Sequence, residues 1–214
     1  MTIGPAHQYL LKGLELGYSK KVIQNILSSS FEKESVNLTY IHSLKHLSHI
    51  TGVHYVFLRE IIERRTFPYE TYSVRKKDSS YRKITAPNDE LKLIQKWIAK
   101  NILINIKPHW RCFSYHKDAS ILKCAQEHLG AKWLIKLDIK NFFGSIQEGQ
   151  VYDVFESRGY NPLVSFEMAR LCTVESGFDS SRNVDHWVNY KSSRKTFPYS
   201  SNDLKTFGYL PQGA

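Results

Sequence analysis

Seven consecutive residues, Trp133-Leu134-Ile135-Lys136-Leu137-Asp138-Ile139, form a short and mostly apolar run. A run of that length and composition reads as a buried strand. Asp138 lies near its carboxyl end, and polar chemistry at the end of a buried strand points to a site. Taken alone the aspartate also has an ordinary role, because the residue after a strand is commonly a turn or cap.

Around this run the chain alternates between helical and strand patterns. Leu10, Leu11, Leu14 and Leu16, then Val22, Ile23, Ile26 and Leu27, recur near helical spacing, with Ser28-Ser29-Ser30 read as a break. Further helices are predicted over about Thr39 to Ile50 and Val53 to Arg65. The second turns Val56, Phe57, Ile61 and Ile62 inward and leaves Arg59, Arg64 and Arg65 for the surface. Tyr69 to Val74 and Tyr81 to Thr85 are β-prone and are separated by Lys77-Asp78-Ser79-Ser80, so a basic hairpin is expected. Pro87-Asn88-Asp89 starts a helix with Leu91, Ile94, Ile98 and Ile102 on one face, and Pro108 stops it. Helices follow at about Ile121 to His128, at Gly149 to Ser157 and at 162 to 174, where Asn161 is the N-cap and Pro162 the first helical residue. Residues 176 to 206 read as a long polar loop or irregular insertion. The fold class is α+β.

Charge narrows the function. The 214 residues carry 30 Lys and Arg against 20 Asp and Glu, a net charge of +10 that favours a polyanionic partner. Leu91 to Lys136 holds nine of these cations and two acids, with Trp97, Trp110, Phe113, Tyr115 and Trp133 among them. Cations that hold phosphates, with rings that stack on bases, have this composition; so does a solvated face over core aromatics. The 42% hydrophobic and 23% charged content excludes a disordered, collagenous or coiled-coil chain. No run of about 18 apolar residues and no signal peptide is present, so a soluble, cytoplasmic protein with no membrane partner is expected. Cys112, Cys124 and Cys172 form no CxxC pair and read as buried small hydrophobes. His42, His46 and His49 fall on one helical face, a polar face or a weak zinc candidate. No Walker-type loop or dinucleotide fingerprint occurs.

Four ordered strings carry a family resemblance. Leu137-Asp138-Ile139-Lys140-Asn141-Phe142-Phe143-Gly144-Ser145-Ile146 resembles the first catalytic motif of reverse transcriptases, in the form typical of bacterial retron-type enzymes. Tyr81-Arg82-Lys83-Ile84-Thr85-Ala86-Pro87, followed by Leu91-Lys92-Leu93-Ile94-Gln95, is similar to the fingers motif of that family. Ala119-Ser120-Ile121 with Ala125 and His128 resembles the segment before the catalytic strand, and Leu210-Pro211-Gln212-Gly213-Ala214 the second palm motif. The strings span roughly residues 54 to 214, and Leu-Lys-x-Ile-Gln together with Leu-Pro-Gln-Gly-Ala favours the retron and phage-defence branch over group II intron enzymes.

The resemblance implies a right-hand polymerase fold: a helical amino-terminal region at 1–65, fingers at 66–130 and the first part of a palm at 131–214. It implies RNA-directed DNA synthesis with two Mg²⁺ ions, which clamp the attacking and leaving oxygens of an in-line phosphoryl transfer. Asp138 would bridge both ions and the Ile139 carbonyl would complete one shell. Arg82 would grip the incoming triphosphate, with Lys76 or Lys77 as a second cation. Phe143 would be the steric gate that selects deoxynucleotides, unless Phe142 and Phe143 are both core. The backbone N–H groups of Asn141 and Phe142 would face the triphosphate, and Gln212 would lie beside the sugar and templating pair. Many relatives have Asp where Asn141 stands. Expected partners are an RNA template and primer, with one structured non-coding RNA as a candidate for both, an RNA–DNA hybrid, dNTPs and an effector protein.

The family also needs a Tyr-x-Asp-Asp hairpin after the second palm motif, and no such string occurs in the 214 residues. The expectation is therefore a fragment holding fingers and part of the palm, lacking the remaining palm and thumb and inactive alone. Two other readings stay open: a non-catalytic RNA-binding module, or one half of a split polymerase.

Overall fold

A computed structural model describes residues 5–34, 39–175, 199 and 208–212. The chain begins with helices α1 (Pro5–Glu15), α2 (Lys20–Glu34), α3 (Leu44–Thr51) and α4 (Tyr55–Ile62). A hairpin of β1 (Tyr69–Arg75) and β2 (Tyr81–Pro87) follows, then α5 (Asp89–Asn101), a 3-10 turn at Leu103–Asn105 and the short α6 (Ile121–Gln126). The remainder is α7 (Phe142–Ser145), α8 (Glu148–Ser157), α9 (Pro162–Cys172) and two two-residue strands, β3 (Val174–Glu175) and β4 (Gly208–Tyr209). The architecture mixes helix and strand, and no helix among the described residues is long and apolar enough to cross a membrane.

The core is built on α5 and α9. Leu91, Ile94, Ile98 and Ile102 recur every three or four residues, so one stripe of α5 is sealed, all four at 0% exposure. Asn88 caps this helix by accepting from the Leu91 N–H at 3.0 Å, and Asp89 and Glu90 in the first turn complement the helix dipole. Helix α9 is buried all round from Val164 to Leu171, as befits a helix enclosed by its neighbours; Asn161 accepts from the Val164 N–H at 3.0 Å and Pro162 opens the helix. Leu44 and Leu47 of α3, Leu58, Ile61 and Ile62 of α4, and Tyr152 and Phe155 of α8 close the same cluster.

The antiparallel hairpin pairs Tyr69 with Pro87 at its base and Arg75 with Tyr81 at its tip. Tyr69 is buried while the other six residues of β1 are exposed, so the hairpin is rooted in the core and its arms stand clear of it. Its tip is closed by the Lys76 N–H donating to the Ser80 carbonyl at 2.7 Å, and Asp78 accepts from both the N–H and the hydroxyl of Ser80.

Four expectations are corrected. Ser28-Ser29-Ser30 does not break α2, which runs to Glu34; the Ser28 hydroxyl donates back to the Asn25 carbonyl at 3.0 Å, so a residue that favours turns is accommodated inside a helix. In α4 Ile61 and Ile62 are buried and Phe57 packs against the core as expected, but the third fully buried residue is Leu58, at 0% exposure, and Val56 is exposed. Trp133 to Ile139 is neither strand nor buried: Trp133 is 91%, Leu137 88% and Ile139 64% exposed. A strand needs neighbouring backbone to satisfy its N–H and C=O groups, and the two small sheets among the described residues, β1–β2 and β3–β4, do not reach it. The three cysteines are free and only partly buried, although burial still pushes the Cys172 thiol up to about 12. The polar stretch at 176–206 lies outside the described residues, apart from the buried Tyr199.

Candidate nucleotide and nucleic-acid site

The arms and turn of the hairpin form an open groove of about 440 Å³ lined by Val74, Arg75, Lys76, Lys77, Asp78 and Arg82. Arg82 lies on β2 opposite Val74, one register position below the tip pair, and its side chain lines the same concave surface as Lys76 and Lys77. The sequence left open whether Lys76 or Lys77 accompanies Arg82, and both line the groove together with Arg75, which had not been singled out. Arg75 is tied to the turn by donating to the Ser79 hydroxyl at 3.3 Å. Asp78 is the groove's one acid, and its bonds to Ser80 hold it below the ordinary carboxylate range. Four cations around one carboxylate suit a ligand with several negative charges.

The base of the hairpin meets a second candidate. The Thr85 N–H on β2 donates to the Gln212 carbonyl at 2.9 Å, so the Gly208–Gln212 strip leans on the root of the hairpin. On its other side the Leu210 N–H donates to the Ile146 carbonyl at 2.9 Å, and Tyr209 bridges Gln147. Pro211 is buried and Gln212 half-buried. The strip therefore joins β2 to the loop after α7. Gly213 and Ala214 lie outside the described residues.

Helix α7 carries the aromatic pair. Asn141 precedes it in the left-handed conformation at φ 53°, and its side chain covers Gly144 so closely that a Cβ there would meet Asn141 Nδ2 at 2.4 Å. Phe143 is half-buried and stands edge-on to Tyr115, with ring centroids 5.9 Å apart, while Phe142 is 45% exposed and packs edge-on to Phe143. Neither ring belongs to the core cluster, so the alternative of two core phenylalanines is not what the structure shows. Tyr115, read from sequence only as one aromatic of the basic stretch, is the residue that supports Phe143; nothing in the spacing signals that pairing.

Asp138 and Ile139 sit on the exposed segment before α7, which is neither helix nor strand. One hard, open carboxylate fits as a single ligand of a divalent cation and falls short of a whole site. No group of three His, Cys, Asp or Glu side chains able to hold a metal exists among the described residues, the His42, His46 and His49 face included. His42 and His46 instead bond to each other, His46 Nδ1 accepting from the His42 N–H at 3.3 Å.

The basic stretch divides by position. Trp97 packs against the core, Phe113 is half-buried, and Trp110, Tyr115 and Trp133 are exposed. The Arg111 guanidinium lies 4.0 Å over the Trp110 ring, a cation–π pair presented to solvent.

Beneath the strip lies a buried ionic cluster that sequence reading missed. Glu148, at the start of α8, is fully enclosed between Arg64, whose Nη2 is 2.5 Å from Oε2, and Arg170, whose Nε is 2.7 Å from Oε1. The Arg170 contact is an ion pair lying off the line of a hydrogen bond. The Thr173 hydroxyl is 2.9 Å from Glu148 Oε2, and Arg64 also donates to the Thr173 carbonyl at 2.7 Å. Burial alone would raise the Glu148 carboxyl; Arg170, Arg64 and Thr173 outweigh it and hold the group below its usual range. Arg64, expected on the surface, has a side chain only 5% exposed, because its left-handed backbone at φ 57° ends the α4 turn and the side chain reaches Glu148 instead of continuing the helix face.

No family model matches the chain. It is similar to the retron Ec86 reverse transcriptase of Escherichia coli, 32% identical over 146 residues that cover 67% of the chain and 46% of that protein. It is similar to the retron Mx162 reverse transcriptase of Myxococcus xanthus, 31% identical over 105 residues, 49% of the chain and 22% of that protein. The retron Se72 reverse transcriptase of Salmonella heidelberg is 30% identical over 147 residues, 67% of the chain and 38% of that protein. The chain thus spans less than half the length of each of these relatives.

Proposed function

We propose that this chain, a relative of the retron reverse transcriptases, forms the fingers and the first part of the palm of an RNA-directed DNA polymerase. The observation that carries the proposal is the cationic hairpin groove at Arg82 and Lys76, rooted by the Thr85–Gln212 hydrogen bond in a strip whose Leu210 bonds to Ile146, just after the helix that bears Phe143. Nucleotide addition asks for a polyphosphate clamp, because a 3′-hydroxyl attacks the α-phosphate in line while pyrophosphate departs. Arg82 offers two donors in one plane and the lysines offer point charges, so the groove orients the leaving phosphates. Phe143, backed by Tyr115, stands as the wall against a ribose 2′-hydroxyl, and Gln212 beside the sugar. The backbone N–H groups of Asn141 and Phe142 lie on the triphosphate side.

By family a divalent cation, Mg²⁺ in this proposal, supplies the charge neutralisation of the transferred phosphoryl group. Asp138 and the Ile139 carbonyl would give it two oxygens, and the remaining carboxylates are not among the described residues. In this reading the 214 residues alone are inactive. The exposed Trp110–Arg111 pair and the basic 91–136 stretch support binding of an RNA template and primer or an RNA–DNA hybrid. Action on a dedicated non-coding RNA, a place in phage defence and an accompanying effector protein belong to the same proposal. A second reading, an RNA-binding module without catalysis, is favoured by the solitary Asp138. A split polymerase completed by a partner is the third.

The test is primer extension on an RNA template by the complete enzyme and its Asp138→Asn variant. Synthesis is expected to vanish while RNA affinity stays nearly constant. Residual synthesis above about 5% would remove Asp138 from the chemistry, since losing a transition-state interaction of this kind costs several powers of ten. A complete wild-type protein that binds RNA and never extends a primer would establish the module instead.

A further inference from the structure

We propose that the buried Glu148–Arg64–Arg170 cluster is a positioning device that fixes the Gly208–Gln212 strip against the hairpin, and thereby sets the geometry of the nucleotide site. The inference rests on the reading of Gln212 and Arg82 as nucleotide-facing residues. Three polar atoms of the cluster form the floor on which β4 lies: a Cβ at Gly208 would meet Glu148 Oε2 at 2.4 Å, Arg64 Nη2 at 2.6 Å and Thr173 Oγ1 at 2.7 Å. These atoms cannot step aside cheaply, because each is buried and committed to a charged partner. From that floor the strip runs without slack. Tyr209 pairs with Val174, directly after the cluster's Thr173, Leu210 bonds to Ile146, and the Gln212 carbonyl accepts from Thr85. The cluster gathers α4, α8 and α9 at one point, so the helical region that carries Arg64 is coupled through the strip to the root of the hairpin that carries Arg82.

Glu148, Arg170 and Thr173 are at 0% exposure and the Arg64 side chain is only 5% exposed, so a direct catalytic part is excluded. Position is the remaining role. A buried ion triad adds little net stability over an apolar replacement, whereas its fixed geometry specifies one arrangement; placing it under the approach of a strip that spans two proposed site elements gives that specificity a use.

The test pairs two readouts on Glu148→Gln and Thr173→Val; the second keeps both ion pairs and is decisive if the first does not fold. Amide exchange in the 214-residue chain is expected to speed at Thr85 by about tenfold or more, while Ile98 in α5 and Ile102 directly after it, whose N–H donates back to the Ile98 carbonyl, keep their rates. In the complete enzyme KM for dNTP is expected to rise about fivefold or more with kcat changed less than about twofold. Equal acceleration at Thr85 and α5 would reduce the cluster to a structural role, and unchanged exchange at Thr85 would refute the coupling. A wild-type enzyme that extends no primer would overturn the polymerase reading, and the Thr85 exchange would still decide whether the cluster holds the strip.

Discussion

Glu167 on α9 gives a stability prediction that is specific to one proton. Its carboxyl is 5% exposed, Oε1 accepts from the Tyr199 hydroxyl at 2.6 Å, and Oε2 makes no hydrogen bond among the described residues. The cation that acts on it, Arg59, is paired with Glu63 and lies 4.5 Å over the Tyr199 ring. Burial therefore prevails over the Tyr199 hydrogen bond and the Arg59 charge, and raises the group from 4.5 to about 7. Below pH 4.5 the folded and unfolded chains both hold the proton and its contribution is complete. As pH rises toward 7 the unfolded chain releases the proton and the folded chain keeps it, so stability falls; above 7 the loss is complete. That interval converts to on the order of 3 kcal/mol. Glu167→Gln keeps the shape and the acceptor for Tyr199 and cannot ionise. Urea unfolding of both proteins from pH 5 to pH 8 at constant ionic strength should show the variant gaining about 3 kcal/mol on the wild type across the range, or roughly ten degrees in Tm. Histidines and other carboxylates cancel in the difference. A constant difference between the two proteins from pH 5 to 8 would refute the assignment of Glu167 as a buried acid that holds its proton.

Ile98→Ala should destabilise the chain by about 2–5 kcal/mol, since this fully buried side chain belongs to the core cluster and its truncation leaves a cavity; the same denaturation curves measure it. Phe143→Ala in the complete enzyme should admit ribonucleotides, read as the ratio of kcat/KM for rNTP to that for dNTP, and unchanged discrimination removes the ring as the gate. RNA binding should weaken with salt at a log–log slope of roughly 0.7 per neutralised single-strand phosphate, and Arg111→Ala should lower that slope by about the one contact it removes.

The elements legible in the sequence are those whose signal is local. The face of α5 follows from the spacing of its four apolar residues, the start of α9 from Asn161-Pro162, and the hairpin from two β-prone runs around turn residues. Elements that depend on distant partners were not legible. Trp133 to Ile139 has the composition of a strand but no strand to pair with among the described residues, and composition does not report which neighbours a segment will find. Arg64 has the place of a surface residue in its helix, and only the chain ends of α8 and α9, more than eighty residues later, give it Glu148 and Thr173. In the candidate site, the groove of Arg82 and Lys76 could be anticipated because a two-stranded register is short-range; the Thr85–Gln212 bond and the Tyr115–Phe143 contact could not, because each joins residues from separate parts of the chain.

The open segment Ala131 to Lys140 also has a colloidal consequence. Among the described residues no strand pairs with the backbone beside Trp133, Leu134, Ile135, Leu137 and Ile139, which makes it a template for intermolecular β-pairing, and a concentrated solution of the chain is at risk of precipitating through it. Lys132, Lys136, Asp138 and Lys140 punctuate the apolar residues and act as gatekeepers, because stacking identical strands would bring like charges into register. The segment's net charge is +2, and replacing Asp138 by Asn makes it +3. The substitution that removes the candidate metal ligand therefore strengthens the electrostatic barrier to self-association through this segment.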